Sequence, residues 1–201
     1  MSYIFNLRKS QALIPELGEG LQKYNQEDDE SIDPTNTLAV FEAEIWPEIR
    51  EYFGPEKDVL DVGCGNGRFS AYLSDHAQNI VAIDAFREIN KCHQRPNIAF
   101  VKQSLQNFEG TDYDVIFLFG VLYLQESWDT YDAFKKLVWK LKDNGVIISV
   151  DDKKRNVTHS DSKHLPVGYY NLDELCGLNN VTVIKELIQA NNIHRISVIK
   201  K

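Results

Sequence analysis

A glycine-rich stretch with two nearby acids is the part of this sequence best suited to hold a small ligand. Asp61, Gly63, Gly65 and Gly67 follow an apolar run and precede an amphipathic segment. Glycine lets the chain turn sharply there and lets a ligand lie against the main chain without a Cβ collision. The G-x-G-x-G spacing differs from the G-x-G-x-x-G of nicotinamide and flavin binders, and Asp61 would repel a phosphate and attract a cation. A ligand without phosphates is therefore favoured.

A second acid, Asp84, ends the next apolar run 17 residues after Gly67. A carboxylate at the end of the second strand of a nucleoside-binding sheet can accept both ribose hydroxyls. The alternative interpretations are structural: a tight strand–helix turn for the glycines and a helix cap for Asp84.

Short apolar runs alternate with amphipathic segments after Lys57, and this predicts the elements that position the two acids. The runs are continuous, as in parallel strands covered on both faces, and strand–helix–strand repetition indicates an open, doubly wound α/β sheet. A helical stripe from Trp128 to Leu141 and a turn at 143–145 precede the fifth run. The predicted strand cores are 59–62, 80–83, 98–101, 115–119 and 146–150.

The last two β-rich runs, 181–188 and 193–199, are separated by four residues. So short a connection can join only antiparallel strands. We therefore predict a mostly parallel sheet that ends in an antiparallel hairpin.

The first 56 residues carry the whole net charge of −8, with 4 Lys and Arg against 12 Asp and Glu. Apolar residues at helical spacing from Leu38 to Tyr52, interrupted by Pro47, predict a helix that kinks or restarts at the proline. We expect residues 1–56 to form an acidic helical segment and residues 57–201 to form the ligand-binding domain. The neutral remainder offers no basic stripe, so nucleic acid is not an expected partner.

Neither a membrane span nor a metal site is indicated. The longest apolar run, 115–124, is half of the ~20 residues that a spanning helix needs, and the three cysteines are scattered without a C-x-x-C pair. We expect a cytoplasmic protein with a small-molecule substrate and no metal. The oligomeric state stays open.

Six segments together resemble the class I S-adenosylmethionine-dependent methyltransferases, and the likeness runs from about Lys57 to Lys200. It implies a Rossmann-like, seven-stranded sheet with the last strand antiparallel, S-adenosylmethionine as cofactor and S-adenosylhomocysteine as product. The segments are VLDVGCGNGRFS (59–70), IVAIDAF (80–86), FVKQSLQNF (100–108), YDVIFLFGVLYL (113–124), LKDNGVIIS (141–149) and HLPVGYYNLDELCGL (164–178).

The resemblance also implies which residues hold the cofactor. The glycine loop would hold its methionine and ribose part, and the residues around Asp84 would hold its ribose. Two residues after the third strand would hold its adenine. One departure is Ser104, which stands where the family often has an aspartate for the adenine amino group. The implied residues are Asp61, Gly63, Cys64, Gly65, Asn66, Gly67, Asp84, Ala85, Ser104, Leu105, Phe119 and Val121. We do not expect Cys64 to be a nucleophile, because no neighbouring base can be identified.

Methyl transfer from a sulfonium is an in-line displacement, which needs a base only if the acceptor must lose a proton. The catalytic residue is left unknown, with Tyr123, Asp151, His159 and His164 as candidates that packing or loop exposure would also explain. A small molecule is the default acceptor. The resemblance also implies that residues 1–56 form a cap or lid over the substrate, and the acidic charge of this segment slightly favours an amine over a hydroxyl or carboxylate. Two alternatives stay open: a cofactor-binding regulatory or partner protein without transferase activity, and a non-methyl transfer on the same fold.

Overall fold

The computed structural model describes residues 37–85, 87–122, 127–152, 171–188 and 194–201. Seven strands form one sheet in the order β3-β2-β1-β4-β5-β7-β6. The strands are β1 (Gly54–Val62), β2 (Ala77–Ile83), β3 (Ile98–Val101), β4 (Tyr113–Phe119), β5 (Leu141–Asp152), β6 (Thr182–Ile188) and β7 (His194–Lys200).

The pairing of these strands confirms the predicted fold class. β1 to β5 are mutually parallel where they pair, and β7 lies antiparallel between β5 and β6. The continuous apolar runs have the expected cause, since Val59, Leu60 and Val62 on β1 and Ile116 to Leu118 on β4 are buried on both faces of the sheet.

Helices cover both faces of the sheet. An N-terminal helix (residues 37–52) and α3 (Arg68–Leu73) pack on one face, while α4 (Ser127–Lys140) and α5 (Leu172–Asn179) pack on the other. The predicted stripe of the N-terminal helix is confirmed, because Phe41, Ile45 and Ile49 are completely buried. These side chains belong to the same core as the sheet.

Pro47 changes the hydrogen-bond pattern of the N-terminal helix, as predicted. The helix is α-helical in α1 (Thr37–Val40), π-helical over Phe41–Ile45, α-helical again in α2 (Trp46–Ile49) and 3-10 over Arg50–Tyr52. Proline lacks an N–H group and therefore fits only at the start of the restarted segment.

Two predictions of local structure are wrong. The connections β2–β3 and β3–β4 contain no α-helix within their described residues, only a 3-10 turn at Lys91–His93 and irregular chain. In the β2–β3 connection, the N–H groups of Arg87 and Asn90 donate to Asp84 Oδ1 and to the Asn66 carbonyl instead of forming helical hydrogen bonds. Residues 143–145 do not form a turn that precedes a strand. They lie within β5, where the register slips between Leu141 and Val146 and Asn144 has φ +66°.

Candidate ligand-binding site

The glycine loop connects the end of β1 to α3 at the carboxyl edge of the parallel strands. The main-chain N–H groups of Gly63 and Cys64 both donate to the Ile83 carbonyl, at 2.8 and 3.1 Å. The Arg68 N–H donates to Asn66 Oδ1 at 3.2 Å, where α3 begins. These bonds fix the loop to the end of β2 and to the first turn of the helix.

The three glycines have positive φ angles, but they face different surroundings. A Cβ on Gly63 would lie 2.6 Å from Val121 Cγ2, and a Cβ on Gly67 would overlap the Ile89 side chain. At Gly65 the nearest atom to such a Cβ, Arg87 Cδ, is 3.9 Å away. Gly63 and Gly67 thus allow the protein to pack closely on itself, whereas Gly65 leaves its main chain open to a ligand.

Asp84 joins the glycine loop to the segment after β2. Its Oδ2 accepts the Gly65 N–H at 3.0 Å, and its Oδ1 accepts the Arg87 N–H at 2.8 Å. Residues 87–90 are not helical, so Asp84 is not a helix cap. Ala85, the next residue, is half-buried. The carboxylate therefore lies directly beside the open face of Gly65.

Asp61 is a buried acid beneath the loop. It is 2% exposed, and Ser70 Oγ donates to its Oδ2 at 2.5 Å. Burial raises the pKa of Asp61 to about 7, the Ser70 hydrogen bond opposes this rise, and the charge of Asp84 adds to it. Near neutral pH the group is balanced between its neutral and ionised forms, and a bound cation would favour the ionised form.

Cys64 lies in the same loop with its thiol buried. Burial raises the pKa of this thiol far above its usual range, and the charges of Asp61 and Asp84 raise it further. The thiolate form of Cys64 is therefore strongly disfavoured.

Ser104 and Leu105 follow β3 and are both buried. Ser104 Oγ has no hydrogen-bond partner among the described residues. A buried hydroxyl without a partner is costly, so this atom is suited to a polar ligand group.

Phe119 and Val121 complete the described part of the edge. Phe119 ends β4 and stacks on Phe69 of α3, with ring centroids 4.5 Å apart and both rings half-buried. Val121 lies against Gly63. An apolar wall therefore stands beside the glycine loop.

Of the four catalytic candidates, the structure describes one. Asp151 lies on β5 opposite Arg195 of β7, and its Oδ2 accepts a hydrogen bond from Ser149 Oγ at 2.6 Å. Tyr123, His159 and His164 lie outside the described residues.

Sequence reasoning missed the segment that packs on the glycine loop. The Asn66 carbonyl accepts the Asn90 N–H at 2.8 Å and lies 3.0 Å from His93 Nδ1, while Ile89 covers Gly67. No local signal indicated this segment, because Ala85, Ile89 and Cys92 recur at helical spacing after Asp84. Ser70 was also missed, although it lies in the first turns of α3.

The described residues contain neither a metal-ligand cluster nor a membrane-spanning helix. No three His, Cys, Asp or Glu side chains in this part of the chain are grouped so as to hold a metal ion. No helix of the same residues is both long and apolar enough to cross a bilayer.

Known proteins share both sequence and fold with this chain. A family model described as "Methyltransferase domain" matches residues 38–193. Nodulation protein S of Rhizobium tropici is 34% identical over 76 residues, which cover 35% of this chain and 32% of that protein. The chain thus spans about a third of the length of this curated relative.

Solved structures share the architecture at low identity. N-methyltransferase NodS from Bradyrhizobium japonicum WM9 in complex with S-adenosyl-L-homocysteine has a TM-score of 0.68 at 15% identity, over 92% of this chain and 98% of that one. The DhpI–SAH complex has a TM-score of 0.68 at 17% identity, over 92% and 94%. These likenesses show the fold.

Proposed function

Because the chain belongs to the family of methyltransferase domains, we propose that it transfers the methyl group of S-adenosylmethionine to a small-molecule amine. The observation that carries this proposal is the open main chain of Gly65 beside Asp84, with the buried acid Asp61 beneath the same loop.

The residues present fit the cofactor, and each end of it finds a chemically matched group. Asp84 would accept hydrogen bonds from the ribose hydroxyls next to Gly65, and the buried Ser104 Oγ would accept one from the adenine amino group. Asp61 would favour a cation at the methionine end. Gly63 and Gly67 would shape the site indirectly, by letting the loop pack closely on Val121 and Ile89.

When bound, S-adenosylmethionine supplies an electrophilic methyl group on a positively charged sulfur. Its methyl group would form a C–N bond to the acceptor in exchange for the C–S bond, and S-adenosylhomocysteine would keep the sulfur electron pair. The chain's own contribution is to orient the acceptor and to exclude water, for which the Phe69–Phe119 wall is suited. An amine acceptor must lose a proton if it binds as an ammonium or becomes one on methylation. Among the catalytic candidates that the structure describes, Asp151 would receive this proton.

Charge supports an amine as the acceptor. The acidic residues of the N-terminal helix include Glu42, Glu44, Glu48 and Glu51, and the segment up to residue 56 carries the whole net negative charge. We propose that residues 1–56 act as a cap which raises the local concentration of a cationic acceptor. NodS, which shares the fold, is named an N-methyltransferase.

The test is calorimetric titration with S-adenosylmethionine and S-adenosylhomocysteine. We expect the wild-type protein to bind both ligands, Asp84→Ala to abolish binding, and the exposed control Asp75→Ala to preserve it. A wild-type protein that binds neither ligand overturns the proposal.

An acceptor screen then separates the possible activities by product mass. Amines should gain one methyl group with S-adenosylmethionine as donor, above the level seen for phenols and carboxylic acids. Methylation of phenols or acids alone refutes the amine. Cofactor binding without turnover on any acceptor favours a regulatory protein, and a larger added group favours a different transfer.

A further inference from the structure

Two lysines of α4 are bonded to the irregular chain that follows β3. Lys136 Nζ donates to the Gln106 carbonyl at 3.1 Å. Lys140 Nζ donates to the carbonyls of Phe108 and Gly110, the latter at 3.1 Å. The two lysines are one helical turn apart and therefore lie on the same side of α4. Together they hold three carbonyl groups of residues 106–110.

Lys140 is an unusual residue for this position. Its side chain is 2% exposed, and Nζ lies 4.9 Å from the centroid of the Phe108 ring. Burial and the nearby charge of Lys136 lower the pKa of Lys140. A buried ammonium is costly, and the hydrogen bonds that offset this cost go to main-chain oxygens of one loop. The position of the loop thus depends directly on this side chain.

The same loop begins near Ser104, one of the two residues predicted to bind adenine. The N–H groups of Asn107 and Phe108 both donate to the Ser104 carbonyl at 3.0 Å, so residues 104–108 form one hydrogen-bonded turn. Lys136 and Lys140 hold the far side of this turn through Gln106 and Phe108. A shift of the turn would move Ser104 Oγ, the buried hydroxyl without a partner in the described structure.

We propose that Lys136 and Lys140 are positioning residues for the adenine end of the cofactor. This inference rests on the proposed function, because it takes the ligand beside Ser104 to be adenine. The lysines do not touch the ligand. They hold residues 104–110 in place, so the Ser104 hydroxyl is already positioned for the adenine amino group before the ligand binds. Binding then loses no free energy to the ordering of this segment.

The decisive comparison uses two ligands that differ in the adenine. S-adenosylhomocysteine carries the base, and S-ribosylhomocysteine lacks it but keeps the ribose and the homocysteine. Lys136→Met should raise the Kd for S-adenosylhomocysteine about tenfold, as expected for the loss of one charge-assisted hydrogen bond, and change the Kd for S-ribosylhomocysteine by less than about twofold. Lys136→Arg keeps the cation and should restore most of the affinity.

Matched controls separate positioning from general loss of structure. Lys135→Met removes an exposed lysine from the same helix and should leave both Kd values unchanged. Lys140→Met should have a larger effect than Lys136→Met, and if it fails to fold, the Lys136 variants decide alone. In turnover assays, Lys136→Met should raise KM for S-adenosylmethionine and leave kcat at saturation unchanged.

Either of two results overturns the inference: an unchanged Kd for S-adenosylhomocysteine in Lys136→Met, or an equal loss of affinity for the two ligands. A wild-type protein that does not bind S-adenosylhomocysteine refutes the proposed function instead.

Discussion

Replacing Asp61 with asparagine should stabilise the cofactor-free protein, and more so as the pH rises. The carboxyl group is buried, and its pKa is raised from 3.8 to about 7 in the folded protein. An unfolded chain ionises this group near pH 4, whereas the folded chain holds the proton until about pH 7. The contribution of Asp61 to stability is therefore fully present below pH 4 and is lost as the pH rises toward 7.

The size of this loss follows from the two pKa values. At about 1.4 kcal/mol per pH unit, the loss is about 4 kcal/mol between about pH 4 and pH 7, of which about 3 kcal/mol falls above about pH 5. Asparagine keeps the shape of the protonated acid and does not ionise. Asp61→Asn should thus gain about 3 kcal/mol over the wild type between about pH 5 and pH 8, or about 6–12 °C in Tm.

Urea denaturation at a series of pH values measures this difference, and the exposed acid Asp75→Asn is the control. The control should follow the wild-type pH profile. A stability difference between Asp61→Asn and the wild type that stays constant from about pH 5 to pH 8 would refute the burial argument. The cofactor should act in the opposite direction: its positive charge favours ionised Asp61, so binding near pH 6 should release protons in the wild type and not in Asp61→Asn.

Three further outcomes are expected. Gly67→Ala should lower the free energy of unfolding by more than about 2 kcal/mol, because φ is +87° and the new Cβ overlaps Ile89. In urea denaturation, adding Ile89→Ala should recover only the part of this loss that is due to the overlap. Full recovery would show that the positive φ contributes nothing. Gly65→Ala should lower the free energy of unfolding by only about 1–2 kcal/mol. It should nevertheless abolish S-adenosylhomocysteine binding in calorimetry, because the alanine Cβ would occupy space that is open to the ligand. Retained affinity would count against the proposed binding site. Cys64 should resist alkylation by iodoacetamide at about pH 8 in the folded protein, because burial raises the pKa of its thiol. Peptide mass spectrometry should show that it reacts after denaturation. Rapid labelling of the folded protein would contradict the burial of this thiol.

The sequence predicts the sheet and the family well because both depend on local pattern. Five apolar runs give the cores of β1 to β5, and a four-residue connection is too short for anything but an antiparallel hairpin. The methyltransferase family, predicted from six segments that include the glycine loop and Asp84, is confirmed by the family match, and S-adenosylmethionine is the cofactor of that family. The individual cofactor residues stay predictions.

The contacts that sequence reasoning missed join residues far apart in the chain. Nothing local in the sequence indicates that Ile89 fills the space at Gly67, or that Lys140 bonds to the carbonyls of Phe108 and Gly110. Such contacts depend on how the β2–β3 and β3–β4 connections pack, and those connections lack the helices that the alternating pattern predicts. The raised pKa of Asp61 could not be predicted from the local sequence either, because it is caused by burial within the surrounding fold.

The position of β7 has a consequence for the synthesis of this chain on the ribosome. β7 is the last of the described strands to be made, yet it lies between β5 and β6 and is apolar at Ile196, Val198 and Ile199. Until β7 emerges, β5 has an open edge and β6 has no partner in the sheet. Translation that stops before residue 194 therefore leaves the open edge of β5 and the unpaired β6 for chaperones and proteases to recognise. The described sheet is complete only after residues 194–200 have been synthesised.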